Sequence, residues 1–344
     1  MTPIYNQLLI PFLTAMVVAI TMGGSGTAPA FSASYGANVM RKSLIPGLFG
    51  IMVFVGAFLA GKKTASTMGS GILPAEYMDF TIVSIALFSI AVTMLISNIS
   101  GIPQSTSQAA VLALAAPALY FNKLDTHNLF VEIIPAWFIL PIISYFLSFF
   151  AGKYIYQPMR RRGLTIQRAQ NENKRHIWDI VLVIMALYVS FAIGSNNVAN
   201  AAGPLYTMTI NELHIRESDH IVILMLATLV VAPCFGIGAS LFGHKILKNT
   251  GKEIILFGKF EAVIIAFISG SLLLLASVVK GIPTSLVQVN VAAILGIGVA
   301  KMGHKNIFRK TQVKRFFTMW MIAPVISFLL SLLLIFLADK ANLL

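Results

Sequence analysis

Four short polar stretches stand inside otherwise apolar sequence, and their residue types suit the holding of an anion. The first is Gly23-Gly24-Ser25-Gly26-Thr27-Ala28-Pro29-Ala30. Its counterpart, 171 positions later, is Gly194-Ser195-Asn196-Asn197-Val198-Ala199-Asn200-Ala201. The other pair is Gly101-Ile102-Pro103-Gln104-Ser105-Thr106-Ser107-Gln108 and, 180 positions later, Gly281-Ile282-Pro283-Thr284-Ser285-Leu286-Val287-Gln288. Asn, Gln, Ser and Thr side chains and backbone N–H groups supply mainly hydrogen-bond donors. No Asp, Glu, Lys, Arg or His falls in the two Gly/Asn motifs, in Pro103–Gln108 or in Pro283–Gln288. Sulfate at neutral pH carries no proton and only accepts. Hydrogen phosphate carries a P–OH that wants an acceptor. The composition leans towards sulfate, and phosphate stays open because an amide or backbone carbonyl can take its proton.

Such groups need helix breaks to position them. Gly23, Gly24 and Gly26 let the chain leave a helix and let backbone N–H groups approach a ligand. A helix that starts after a break points its positive end and free N–H groups at the gap. The spacing predicts breaks at Gly23–Ala30 and Gly194–Ala201, and again at the two Gly-Ile-Pro motifs, where proline suits a first helical turn. Four helix N-termini are then expected around one tetrahedral oxyanion. The expected lining is Ser25, Gly26, Thr27, Ser105, Thr106, Asn196, Asn197, Asn200, Thr284 and Ser285, bounded by Gln108 and Gln288. For any one of them, helix packing is the competing role, since small and polar residues commonly join membrane helices. Glu261 is the expected coupling residue, because carboxylates within the membrane are default candidates for proton relays. Its competing role is an interfacial pair with Lys259 or Lys252.

The surroundings of these motifs identify a membrane protein. Of 344 residues, 57% are hydrophobic and 11% charged, and the mean hydropathy is +0.84. A soluble domain carries roughly 25% charged residues. Apolar runs fall near 8–22, 44–60, 81–97, 103–121, 129–152, 178–193, 221–242, 254–279, 283–300 and 316–338, five in each half. Ala28-Pro29-Ala30 looks like a signal-peptidase site, yet no Lys or Arg precedes Arg41, so no cleavage is expected. One cysteine, Cys234, excludes an intramolecular disulfide. No nucleophile–base arrangement, P-loop or dinucleotide fingerprint is present, so no enzyme activity, metal or cofactor is expected beyond Na+ or H+ as a coupling ion.

The halves repeat. Gly56-Ala57-Phe58-Leu59-Ala60-Gly61-Lys62-Lys63 recurs as Gly238-Ala239-Ser240-Leu241-Phe242-Gly243-His244-Lys245. Trp137-Phe138-Ile139-Leu140-Pro141-Ile142-Ile143-Ser144 recurs as Trp320-Met321-Ile322-Ala323-Pro324-Val325-Ile326-Ser327. The expected fold is an all-α polytopic membrane protein of two inverted repeats, 1–156 and 178–344, joined by a basic linker, 157–177. Each repeat has about five membrane segments, with broken or re-entrant helices at the midplane. Inverted repeats with Gly/Pro-interrupted apolar segments mark secondary transporters. Lys and Arg favour cytoplasmic loops. With the linker inside, all but six of the 25 basic residues (Lys62, Lys63, Lys123, Arg216, Lys280 and Lys340) fall on that side. Both termini are then extracytoplasmic, and the +13 charge mostly records topology rather than nucleic-acid binding. A passive anion channel is the reading from another class.

Gly194–Ala201 resembles the Gly-Ala-Asn-Asp-Val-Ala-Asn-Ala signature of the inorganic phosphate transporter (PiT) family. Gly281-Ile282-Pro283-Thr284-Ser285 and Gly101-Ile102-Pro103-Gln104-Ser105 look like its Pro-Val-Ser-Thr motifs. The resemblance spans nearly the whole chain. It implies a cation-coupled anion symporter of the cytoplasmic membrane, usually a homodimer, with phosphate or sulfate held between broken helices. Asn197 stands where the signature has Asp, a residue that in phosphate members helps bind sodium. Gln108 and Gln288 stand where phosphate members often have His. With its Gly-Ser-Gly-type first motif, the pattern is similar to the sulfate permease branch, so thiosulfate and phosphate are the competing substrates.

Overall fold

The computed structural model describes residues 4–100, 104–162, 172–244 and 258–344. Part of the first Gly-Ile-Pro motif, 163–171 of the expected linker, and Lys245, Lys248 and Lys252 lie outside them. The described residues are nearly all helical. In chain order the main helices are α1 (Ile4–Gly36), α2 (Ile45–Ala60), α3 (Lys62–Ser70), α4 (Phe80–Ser100), α5 (Thr106–Tyr120) and α6 (Ile134–Phe150). They continue as α7 (Glu172–Asn197), α8 (Ala199–Leu213), α9 (His220–Leu241), α10 (Lys259–Leu275), α11 (Leu286–Met302) and α12 (Thr311–Lys340). Among the described residues, each of the ten expected apolar runs coincides for most of its length with a helix. Among the described residues, eight spans are long and apolar enough to cross a bilayer, while Thr106–Tyr120 and Leu286–Met302 are shorter. Large apolar side chains such as Leu13, Ile51, Phe138, Leu229, Met321 and Leu333 face outward. That is the expected surface where the solvent is lipid and the backbone is satisfied within each helix.

One expectation fails. Helix α1 runs without interruption through Gly23–Ala30. Three glycines permit a break but do not impose one, and here they are used for packing. A Cβ on Gly23 would overlap the Phe235 carbonyl oxygen of α9, and one on Gly24 the Phe242 side chain. The second expected break shrinks to a single residue. Val198 separates α7 from α8 and itself keeps a right-handed helical backbone (φ −60°, ψ −35°).

The Gly-Ile-Pro break is present where it is described. A π-helical turn, Ala276–Lys280, ends α10, and residues 281–285 form no helix before α11. Gly281 takes φ +67°, and any Cβ there would also meet the Lys63 backbone. Glycine satisfies both demands at this one position. Pro283 does not open the next helix. Ser285 caps α11 and Leu286 is its first residue, so the proline stands ahead of the cap.

Equivalent positions of the two halves make the same contacts with the partners exchanged. Gly23 approaches the Phe235 carbonyl and Gly194 that of Val53. Gly56 approaches the Phe191 carbonyl and Gly238 that of Ile20. Ser144 of α6 donates to the Val289 carbonyl of α11 (2.8 Å), and Ser327 of α12 donates to the Ala109 carbonyl of α5 (2.9 Å). Each half thus lays its last long helix along the short helix of the other.

Candidate functional site

The short helices α5 and α11 begin alike. Ser105 Oγ accepts the Gln108 N–H at 3.3 Å, and Ser285 Oγ accepts the Gln288 N–H at 3.3 Å. Serine is a favoured residue at this capping position. The N–H groups of Thr106, Ser107, Leu286 and Val287 come ahead of any intrahelical acceptor. The two helix starts meet side by side. Gln108 Nε2 donates to Gln288 Oε1 (3.1 Å) and Gln288 Nε2 to Gln108 Oε1 (2.9 Å). Two helix N-termini converge here, not four, because α1 does not break and α7 passes into α8 through Val198 with its backbone still helical.

Between these starts lies the end of α7. The Asn196 carboxamide donates to Ser277 Oγ (2.8 Å) and to the Ile282 carbonyl (2.9 Å). Its Oδ1 accepts the Thr284 N–H at 3.0 Å and faces Ser107 Oγ at 3.4 Å. Ser107 gives its single proton to the nearer Thr284 carbonyl (2.9 Å), so it must accept from Asn200 Nδ2 (3.2 Å). Asn197 Nδ2 donates to Thr106 Oγ1 (3.1 Å). Asn196 therefore staples the 276–284 turn to α7, while Asn197 and Asn200 hold the start of α5. All these side chains are buried. The span Ile177–Leu213 places Asn196 near its middle.

Several polar atoms in this cluster have no partner among the described residues. They are Asn197 Oδ1, Asn200 Oδ1 and both the Oε1 and Nε2 of Gln104, which is fully buried one residue before the α5 cap. A buried polar atom without a partner costs about 1–3 kcal/mol. Such a concentration beside two helix starts marks a place for a ligand. Asn200 is held one way round by the Ser107 proton, so its free atom stays a carbonyl. Asn197 is not so held. Turned over, its Oδ1 accepts from the Thr106 hydroxyl and its NH2 becomes free.

The remaining expected residues fall elsewhere. Ser25 and Thr27 are buried, but their hydroxyls bond back along α1, to the Met22 carbonyl (3.0 Å) and the Gly23 carbonyl (2.7 Å). Gly26 packs against Phe49 and Ile193. The structure brings together Ser105, Thr106, Asn196, Asn197, Asn200, Thr284, Ser285, Gln108 and Gln288, and leaves Ser25, Gly26 and Thr27 within α1's own packing. Sequence reasoning missed Ser277. Its signal was the offset of 180 from Ser97, also buried.

Glu261 stands apart from the cluster. It is fully buried in the first turn of α10, not deep within it, and its carboxylate pairs with Lys301 of α11 at 2.6 Å. It also accepts the Gly258 N–H. Of its two expected partners, Lys259 is paired with Asp179 of α7 instead, and Lys252 lies outside the described residues. The apolar run counts Glu261 seven residues from Ile254, whereas helix α10 starts at Lys259, so a helix-capping carboxylate reads as a deep one when only the apolar run is visible.

A family model described as the phosphate transporter family matches residues 22–331. The chain belongs to that family. Phosphate transporter family members are membrane anion transporters and not enzymes, and this chain is accordingly a multi-pass membrane anion transporter. It is 31% identical over 337 residues to the sulfate permease CysP of Bacillus subtilis, an alignment covering 97% of this chain and 89% of the relative. It is 23% identical to a putative phosphate permease of Thermococcus kodakarensis, covering 95% and 98% respectively. A solved structure, the sodium-dependent phosphate transporter, superposes with a TM-score of 0.83 at 19% identity, covering 97% of this chain and 99% of that one. That likeness shows the shared family fold.

Proposed function

We infer that this transporter imports inorganic sulfate across the cytoplasmic membrane by secondary active transport, driven by H+ or Na+. The observation that carries the reading is the uncharged buried cluster at the α5 and α11 starts, with unused amide atoms on Gln104, Asn197 and Asn200. A fully deprotonated oxyanion needs donors and no carboxylate. Gln104 Nε2, a turned Asn197 and the first-turn N–H groups supply them. Similarity to a sulfate permease over almost the whole chain supports the same substrate. The exchanged contacts of the two halves support inverted repeats, 1–156 and 178–344. Both termini are then extracytoplasmic, the linker 157–177 is cytoplasmic, and the working unit is a homodimer. Glu261 is the coupling candidate.

Asn200 favours a second reading. Its free carbonyl accepts and cannot donate, which suits the P–OH of hydrogen phosphate. Uptake of radiolabelled sulfate into proteoliposomes separates the two. Sulfate accumulation under an imposed pH or Na+ gradient, with phosphate at equal concentration failing to compete, is expected. Phosphate accumulation without sulfate uptake assigns the site to phosphate, and equilibration without uphill accumulation assigns the chain to passive channels.

A further inference from the structure

Helices α2 and α9 cross closely on the outer face of the bundle. A Cβ on Gly50 would lie 3.1 Å from the Gly236 Cα. Beside this crossing the two helices leave an open apolar groove of about 530 Å³, lined by Pro46, Gly47, Phe54, Leu229, Pro233 and Ile237 among others. Carbon side chains line it almost throughout. Along α2 it runs from Pro46 to Phe54, about 12 Å at 1.5 Å per residue. That fits within one leaflet, half of a hydrocarbon core of about 30 Å.

At Pro46 the groove opens into a second cleft of about 660 Å³, lined by Lys42, Ser43, Ser240 and His244. The cleft carries a lysine, a histidine and two serines, and among the described residues no carboxylate lines either cavity. His244 is set edge-on to Tyr35 at 6.3 Å, which fixes its ring at the rim.

We propose that this composite cavity is a binding site for an anionic glycerophospholipid, with an acyl chain in the α2–α9 groove and the phosphate over Lys42 and His244. The chemistry is that of an amphiphile: one leaflet of apolar length headed by cations and hydroxyls. Basic residues at the membrane surface attract anionic headgroups in this way. The site is separate from the buried amide cluster, and it makes the contact between the two halves sensitive to lipid charge.

Native mass spectrometry of the purified full-length protein tests it, with dioleoyl phosphatidylglycerol and dioleoyl phosphatidylcholine as probes. The wild type is expected to retain the anionic lipid in preference to the zwitterionic one. Lys42→Glu is expected to lower its retention about tenfold or more. Lys42 is exposed, so this variant folds. Gly47→Leu fills the groove, because a Cβ there meets nothing within 4 Å. It is expected to reduce retention of both lipids with unchanged elution in size-exclusion chromatography. Equal retention of the two lipids by the wild type overturns the proposal, as does unaltered phosphatidylglycerol binding in Lys42→Glu. A dimer that Gly47→Leu splits, with bound lipid unchanged, assigns the groove to a second copy and overturns it too.

Discussion

Gln108 and Gln288, 180 residues apart, hold each other by two amide hydrogen bonds of 3.1 and 2.9 Å. Each sits in the first turn of a short helix capped by a serine three residues earlier. Neither helix start moves against the other without parting this pair. Replacing one glutamine by leucine leaves the other amide buried and unpaired, at about 1–3 kcal/mol. The double variant is expected to be more stable than the sum of the single losses implies. Thermal unfolding in detergent measures this, and strictly additive losses would show that the two amides do not act together.

Asn196 and Asn197 are neighbours in sequence with different expected phenotypes. Asn196 uses its amide on three protein groups, so Asn196→Ala should lower the yield of folded protein along with uptake. Asn197 has a free Oδ1 and a hydrogen bond to Thr106. Asn197→Ala should abolish sulfate uptake while the folded fraction stays near wild type. Uptake rates normalised to monodisperse protein decide it; equal folding defects in both variants would place Asn197 in the scaffold.

Gln104 is the sharpest case of a residue kept at a cost. Both its amide atoms are buried without partners. Gln104→Met keeps the length and removes the two orphan groups. The variant is expected to melt higher than the wild type and to lose sulfate affinity by about tenfold or more, a trade between stability and activity. A variant that melts lower and transports normally would remove Gln104 from the site.

Gly56 and Gly194 let α2 and α7 touch backbone to backbone. An alanine at either position forces the helices apart, at about 1–3 kcal/mol for an overpacked core. Gly56→Ala and Gly238→Ala, being equivalent, should cost similar amounts. Melting temperatures of the two variants test this, and a loss in only one would break the equivalence.

Glu261→Gln separates coupling from pinning. The change leaves Lys301 facing a neutral amide across 2.6 Å. If Glu261 carries the coupling proton, gradient-driven uptake falls more than sulfate exchange, and the pH dependence of uptake flattens. Equal losses in both assays with the pH profile unchanged would assign the residue to holding α10 against α11.

The ten apolar runs, the duplication and the polar motifs are all legible in the linear chain, because each is a matter of residue type and local spacing. Hydropathy marks what lipid or core can cover, and a repeat marks itself. The family follows from the same motifs. What the chain does with a permissive residue is not local. Gly23, Gly24 and Gly26 allow a break, yet Phe235 and Phe242, more than 200 positions away, use those glycines for close packing and α1 stays whole. Likewise Asn196 and Asn200 look alike in sequence. Only the arrival of Ser107, Ser277 and Thr284 from distant segments decides that one is saturated and the other keeps a free carbonyl. The partner of Glu261 was settled in the same way, by the return of α11 past the start of α10. Residue type sets what a side chain is able to bond; the fold decides which of those capacities is already used, because hydrogen bonding inside a membrane protein is exhausted first on its own chain.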